Sequence, residues 1–349
     1  MKKTVSCMLV FVMLFVFAFA GVTCAEEKKI SVVTTIFPVY DWVREVVGDN
    51  DDVEIAMLLD DGVDLHSYQP AAADIMKVAT CDLFVYVGGE SDEWVGDALA
   101  QSVNPDMKAV NLVEAMGDDI KMEEVVEGME HEHGHDEDED EHEHEDEHED
   151  EHDGDAHDHG EDEHDHEHEE EADEHVWLSL RNAQRLVGVI ADALAEVDPV
   201  DAARYLQNAE AYVGRLSDLD AQYAAVRETA DFDTVLFGDR FPFRYLVDDY
   251  GLNYYAAFSG CSAESEASFE TVVFLAGKVD ELGLTTVLTL EGDNHRIAET
   301  IVANTRAKDA KVLSMDSLQA TTGEDVKNGV TYLGAMEANL EVLKQALTK

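Results

Sequence analysis

Between Glu130 and Glu174 the chain reads EHEHGHDEDEDEHEHEDEHEDEHDGDAHDHGEDEHDHEHEEEADE. Twelve of the fifteen histidines and 28 of the 79 acidic residues fall in this tract, and no Lys or Arg does. Neutral imidazole suits zinc, copper and nickel, and dense carboxylates add oxygen ligands. An acidic run that served solubility alone would have no need of histidine, so the interleaving points to metal contact. The tract has almost nothing apolar to bury and so cannot offset the entropy of ordering itself, which predicts a disordered insert over 118–174. Its composition leaves open whether metal is cargo, cofactor or simply buffered.

The three remaining histidines are better placed for a fixed site. His66 lies in the polar loop Asp60–Gln69, after the apolar strand Val53–Leu59. His175 ends the tract, just before Val176-Trp177-Leu178. His295 follows the strand Thr286–Leu290 and the loop Glu291-Gly292-Asp293-Asn294. A lone loop histidine is usually a surface residue. Three that can converge, in a chain with a His-rich insert, favour metal ligation.

The elements that must position them alternate. Ile30–Ile36, Val53–Leu59, Cys81–Val87 and Ala109–Val113 read as strands. Helices are predicted over Val39–Val47 and, after Pro70, over Ala71–Ala79. Continuous apolar strands alternating with helices argue for parallel sheets covered on both faces. After the insert a helix is predicted near Asn182–Glu196. A long one follows Pro199 to about Ala230, with Tyr205, Ala209, Tyr212, Leu216, Leu219 and Tyr223 at three- and four-residue spacing. It reads as a rigid strut. The alternation then resumes, with strands at Thr234–Phe237, Tyr254–Phe258, Thr286–Leu290 and Lys311–Met315. Helices are predicted at Phe243–Tyr250, Phe269–Leu282, Arg296–Lys308 and Gly323–Leu347. The expected fold is therefore α/β: two lobes with parallel sheets, 26–198 and 231–349, joined by a linking helix over 199–230. A cleft lies between the lobes, and ligands of open α/β sheets sit at the carboxyl ends of strands.

Charge and the N-terminus bound the setting. The formal net charge is −56, and the 28 acidic residues of the tract account for half of it (−56 + 28 = −28). Nucleic acid and anionic membrane surfaces would be repelled, and cations attracted. Lys2 and Lys3 precede an apolar run from Met8 to Ala20, the layout of a secretory signal over 1–25. The chain is expected to be exported. A lipid anchor on Cys24, which follows Gly21-Val22-Thr23, and cleavage after Ala20 or Ala25 are the two alternatives. Cys81 and Cys261 fall in different halves and read as two buried thiols rather than a bond. No nucleophile elbow, zinc-protease helix or phosphate-binding glycine loop is present. Glu264 and Glu266 fit a capping role before the Phe269 helix better than general acid–base work.

Several stretches together resemble a known family. They are Val33-Thr34-Thr35-Ile36-Phe37-Pro38-Val39-Tyr40-Asp41, Leu65-His66-Ser67-Tyr68-Gln69-Pro70 and Asp173-Glu174-His175-Val176-Trp177-Leu178-Ser179, with Tyr250-Gly251-Leu252 and Ala263-Glu264-Ser265-Glu266-Ala267-Ser268 further on. Over essentially the whole chain after the signal, the sequence is similar to the zinc- and manganese-binding solute-binding proteins of bacterial ATP-binding-cassette importers. The resemblance implies an extracytoplasmic receptor for one divalent cation, Zn²⁺, that docks as a monomer on a membrane permease and catalyses nothing. Its alternatives are a Mn²⁺ receptor of the same class, a zinc buffer acting through the tract, and, more remotely, a zinc hydrolase using three histidines and a water. The implied ligands are His66, His175 and His295. The family's remaining ligand position falls on Arg240, which stays protonated and cannot donate a lone pair. Arg240 is then expected either to pair with an acidic neighbour such as Asp239 or Asp248, or to hold Glu264 or Glu266 beside the metal. Asp239, Asp64 and Glu291 are weaker candidates for a completing ligand, with Glu264 as a supporting residue.

Overall fold

The computed structural model describes residues 29–129, 171–262, 266–292 and 294–349. The expected signal, Cys24, most of the His-rich tract and Glu264 lie outside the described residues.

Two four-stranded, all-parallel sheets form the frame. The first contains β1 (Ile30–Thr34), β2 (Val53–Met57), β3 (Leu83–Tyr86) and β4 (Lys108–Asn111), in the order β2-β1-β3-β4. The second contains β5 (Thr234–Phe241), β6 (Asn253–Ser259), β7 (Thr286–Leu290) and β8 (Lys311–Met315), in the order β6-β5-β7-β8. Each sheet has one point where the chain reverses its direction of travel across the strands, beside β1 and beside β5. A crevice at the carboxyl ends is expected at such points. Every residue of β7 is buried, as a strand covered on both faces requires.

The helices cover these sheets. In the first half they are α1 (Phe37–Val47), α2 (Ala72–Thr80), α3 (Trp94–Ala100) and α4 (Leu112–Met116), followed by α5 (Leu180–Val197) and α6 (Ala202–Thr229). The second half adds α7 (Arg244–Tyr250), α8 (Phe269–Leu282), α9 (Arg296–Asn304), α10 (Gly323–Lys327) and α11 (Tyr332–Ala346). Pro38 starts α1, where its missing N–H costs nothing, and Gly48 at φ +61° ends it.

The 28-residue α6 is about 42 Å long at 1.5 Å per residue. It buries Tyr205, Ala209, Tyr212, Leu216, Leu219 and Tyr223, the face read from the sequence. Near its start the Tyr205 hydroxyl accepts from Asn50 Nδ2 at 3.0 Å and donates to Asp198 at 2.7 Å. Near its end the Tyr223 hydroxyl donates to the Met336 carbonyl of α11 at 2.7 Å. The halves are further tied through α11. Tyr332 N–H donates to Asp41 Oδ2 at 2.7 Å, and its hydroxyl donates to the Trp177 carbonyl at 2.7 Å.

Three expectations need correction. The predicted C-terminal helix over Gly323–Leu347 is two helices. Gly329 adopts φ +96° between them, and Thr331 accepts from Gly334 N–H to start α11 anew. The short helices α3 and α4 were not expected. The ends of the stretch 118–174, expected to be disordered, are ordered where described: Met122 bridges Ala172, and Asp173 N–H donates to the Lys121 carbonyl at 2.8 Å.

Candidate metal centre

His66 sits in a 3₁₀ turn, Leu65–Ser67, just beyond the carboxyl end of β2. Asp64 caps that turn by accepting from His66 N–H at 3.0 Å. The His66 ring is fixed by a 2.8 Å hydrogen bond between Nδ1 and the Ser91 hydroxyl, beyond the end of β3. His175 is fully buried at the head of a second 3₁₀ turn, Val176–Leu178. Its Nδ1 lies 2.9 Å from Asp173 Oδ1. That carboxylate can only accept, so Nδ1 carries the proton and Nε2 presents its lone pair.

The two Nε2 atoms face each other at 3.2 Å. Two nitrogens on one tetrahedral zinc, each about 2.0–2.1 Å from it, stand about 3.3 Å apart. The pair is therefore set at the separation that one metal ion would impose. A carboxylate behind the histidine fixes its tautomer and ring orientation and raises its basicity, as in carboxylate–histidine–zinc arrangements.

Cys261 Sγ completes the group. One ligand atom from each of His66, His175 and Cys261 lies within 4.8 Å of the others. Gly260 makes this approach possible: a Cβ there would stand 2.9 Å from His175 Cε1 and 3.0 Å from the Phe241 carbonyl oxygen. Cys261 N–H donates to Glu123 Oε1 at 3.1 Å, tying the β6 loop to the base of the insert, and burial, followed by the Glu123 carboxylate, pushes the metal-free thiol well up. Cys81, by contrast, is fully buried and donates its thiol to the Val78 carbonyl at 3.2 Å. Both are free thiols, as expected, but Cys261 is half-buried and in the cleft rather than fully buried.

The electrostatics favour neutral imidazole. Burial, then the proximity of His175, pushes His66 down to about 4. Glu174 is buried behind the pair. Its Oε1 accepts from Ser91 N–H at 2.8 Å, and its Oε2 has no hydrogen-bond partner and lies 3.9 Å from His66 Nδ1. Burial raises the Glu174 carboxyl against the opposing bonds from Ser91.

The other expected residues go elsewhere. Arg240 reaches across to the first half and donates to Asp64 Oδ2 at 2.8 Å. The guanidinium thus pairs with neither Asp239 nor Asp248, although Asp239 Oδ1 accepts from the Arg240 backbone N–H at 2.9 Å, and Asp64 is its ion-pair partner. Burial would raise the Asp64 carboxyl, but the Arg240 guanidinium more than offsets this and holds it low. Asp239 accepts from Thr289 Oγ1 at 2.7 Å and Leu290 N–H at 3.1 Å. These bonds tie β5 to β7, beside the point where β5 shifts register against β6 between Phe237 and Arg240. Glu291 accepts from the Ser317 hydroxyl at 2.5 Å and from its N–H at 2.8 Å. His295 precedes α9, and no ligand atom of it joins the cluster. Its Nδ1 is buried without a hydrogen-bond partner.

Ser91, Asp173 and Gly260 were not singled out as site residues from the sequence. Asp173 had a usable signal, since a carboxylate two residues before a ligand histidine can reach back to its Nδ1. Ser91 and Gly260 had none, because their roles depend on which loops the sheets bring together.

Comparison with known proteins bears on the family and the fold. Residues 32–346 match the family described as zinc-uptake complex component A, periplasmic. The chain belongs to that zinc-uptake family. It is 32% identical over 330 residues to the zinc-binding lipoprotein AdcA of Streptococcus pneumoniae strain R6, covering 93% of this chain and 58% of the relative. The chain thus spans a little over half the length of that relative. It is 28% identical over 327 residues to the high-affinity zinc uptake system protein ZnuA of Bacillus subtilis, covering 94% and 90%. The crystal structure of the Zn(II)-bound ZnuA-like domain of S. pneumoniae AdcA aligns with a TM-score of 0.66 at 27% identity, over 92% of this chain and all of that domain.

Proposed function

We propose that this protein is an extracytoplasmic receptor that captures one Zn²⁺ in the cleft and delivers it to a membrane permease of the ATP-binding-cassette class. The observation that carries the reading is the facing pair of Nε2 atoms at 3.2 Å, with the Nδ1 of His175 held by Asp173 and that of His66 by Ser91. Ring orientation is fixed before metal arrives, so little ordering remains to be done on binding. The family and the zinc-binding names of the relatives support the choice of cargo. Binding and release are the whole function, with no reaction. The receptor acts outside the cytoplasm as a monomer, with Cys24 as the point of a lipid anchor. No helix among the described residues is long and apolar enough to cross a membrane. The His-rich tract collects metal more weakly than the cleft does.

Thermal melts test the reading. Metal that binds the folded state raises its stability by linkage. Saturating Zn²⁺ should raise the melting temperature of the wild type and raise that of His66→Ala and His175→Ala far less. Equal shifts in all three would remove both histidines from the site.

A further inference from the structure

We propose that the Cys261 thiolate is the third ligand to the metal held by His66 and His175, making the cleft a two-imidazole, one-thiolate site. This inference rests on the receptor reading and deepens it. The ligand atoms of the three residues already lie within 4.8 Å of one another. On a tetrahedral zinc, a thiolate sulfur at about 2.3 Å stands about 3.6 Å from a nitrogen ligand, so only a small adjustment brings all three onto one ion.

The surrounding structure is built for this approach. Gly260 lets the β6 loop lie against the His175 ring, where a Cβ would come within 2.9 Å of Cε1. The bond from Cys261 N–H to Glu123 ties the loop to the base of the insert. Other groups of the second half are engaged or distant. Arg240 is paired with Asp64, Asp239 with Thr289 and Leu290, Glu291 with Ser317, and His295 lies outside the group. Arg240 removes one ligand from the second half, and Cys261 supplies another from the next strand of the same sheet.

The chemistry differs from an all-nitrogen site. When the metal binds, the thiol proton leaves to solvent and the Zn–S bond forms. The site then carries a negative charge that two neutral imidazoles lack. A soft sulfur selects Zn²⁺, Cd²⁺ and Co²⁺ over Mn²⁺, which prefers oxygen. The ligand set therefore names the cargo class as thiophilic divalent metals.

Cobalt substitution of the full chain tests this directly. A thiolate on Co²⁺ gives an intense sulfur-to-metal charge-transfer band in the near ultraviolet, which the imidazoles and carboxylates of the tract cannot produce. The wild type should show the band at one equivalent. Cys261→Ser should lose it and bind Zn²⁺ about 100-fold or more weakly, beyond the roughly 10- to 100-fold typical of residues that only support a ligand. Zinc should also protect Cys261 of the wild type from alkylation by iodoacetamide, a readout that needs no variant to fold. Tight zinc binding without the band, with Cys261 still alkylated at the metal-free rate, would overturn the thiolate ligand and leave the receptor reading standing. A wild type with no tight zinc site would overturn both.

Discussion

The two halves of this molecule share a sheet of four parallel strands with the same pattern of strand order, yet they contribute unlike groups to the cleft. The first half supplies two histidines whose ring nitrogens are already partnered by Ser91 and Asp173. The second half presents an arginine tied to Asp64, a cysteine at the end of β6, and a histidine outside the cluster. A repeated architecture places loops at equivalent points but does not fix the chemistry of the residues on them. Affinity should therefore come from the two ring nitrogens of the first half and the single cysteine of the second, with Arg240 and His295 adding little.

The largest expected effect sets one half against the other. His175→Ala removes a direct nitrogen ligand and should weaken the tightest zinc site more than the roughly 10- to 100-fold of a supporting residue, whereas His295→Ala should cost far less. This reverses the order implied by the family resemblance, in which His295 completes the site. Isothermal titration of both variants decides it, and a larger loss for His295→Ala would move the centre toward the second half.

Asp173→Ala should come next. It leaves every ligand in place but frees the His175 ring, so a loss of roughly 10- to 100-fold is expected. An unchanged zinc affinity would show that packing alone orients the ring.

The pH dependence of stability follows. His66 titrates at about 4 in the fold against an ordinary value of 6.5. Between these values the unfolded chain binds more protons, so His66 makes metal-free stability rise with pH from 4 to 6.5 and fall as pH drops through that window. Buried Asp41, raised to about 6, and Asp92, raised to about 7, act in the opposite direction. The difference between wild type and His66→Ala in urea unfolding isolates the histidine contribution. A difference that does not vary with pH would contradict the buried, neutral imidazole.

The smallest effect is expected at Arg240. Its ion pair with Asp64 is partly exposed, with both side chains about a quarter accessible. Such pairs are worth about 0–1 kcal/mol, so Arg240→Ala should change zinc affinity by only a few-fold. A loss as large as that of His175→Ala would make the guanidinium an essential part of the closed site.

Much of this was legible in the sequence. All eight strands were marked by apolar, β-branched runs, and α6 by its buried stripe of tyrosines and leucines. His66 and His175 stood out because few histidines lie outside the tract. The pairing of Arg240 with Asp64 was not legible, because it joins residues 176 positions apart. Cys261 was read as a core thiol because composition cannot distinguish a cysteine in a strand from one on the loop just past it. The break between α10 and α11 depends on the left-handed backbone of Gly329, within a stretch whose helical pattern otherwise continues.

One tight zinc ion should be held by the cleft and not by the tract. Removing residues 130–170 keeps the base of the insert, where Met122 bridges Ala172. The direct test is zinc retention by this shortened chain against a strong chelator, beside the same chain carrying His66→Ala and His175→Ala. One zinc per shortened chain is expected, held within about tenfold, or roughly 1.4 kcal/mol, of the affinity of the unshortened chain, and none in the double variant. A shortened chain that surrenders all its zinc would place the tight site in the tract, and a double variant that keeps it would remove both histidines from that site.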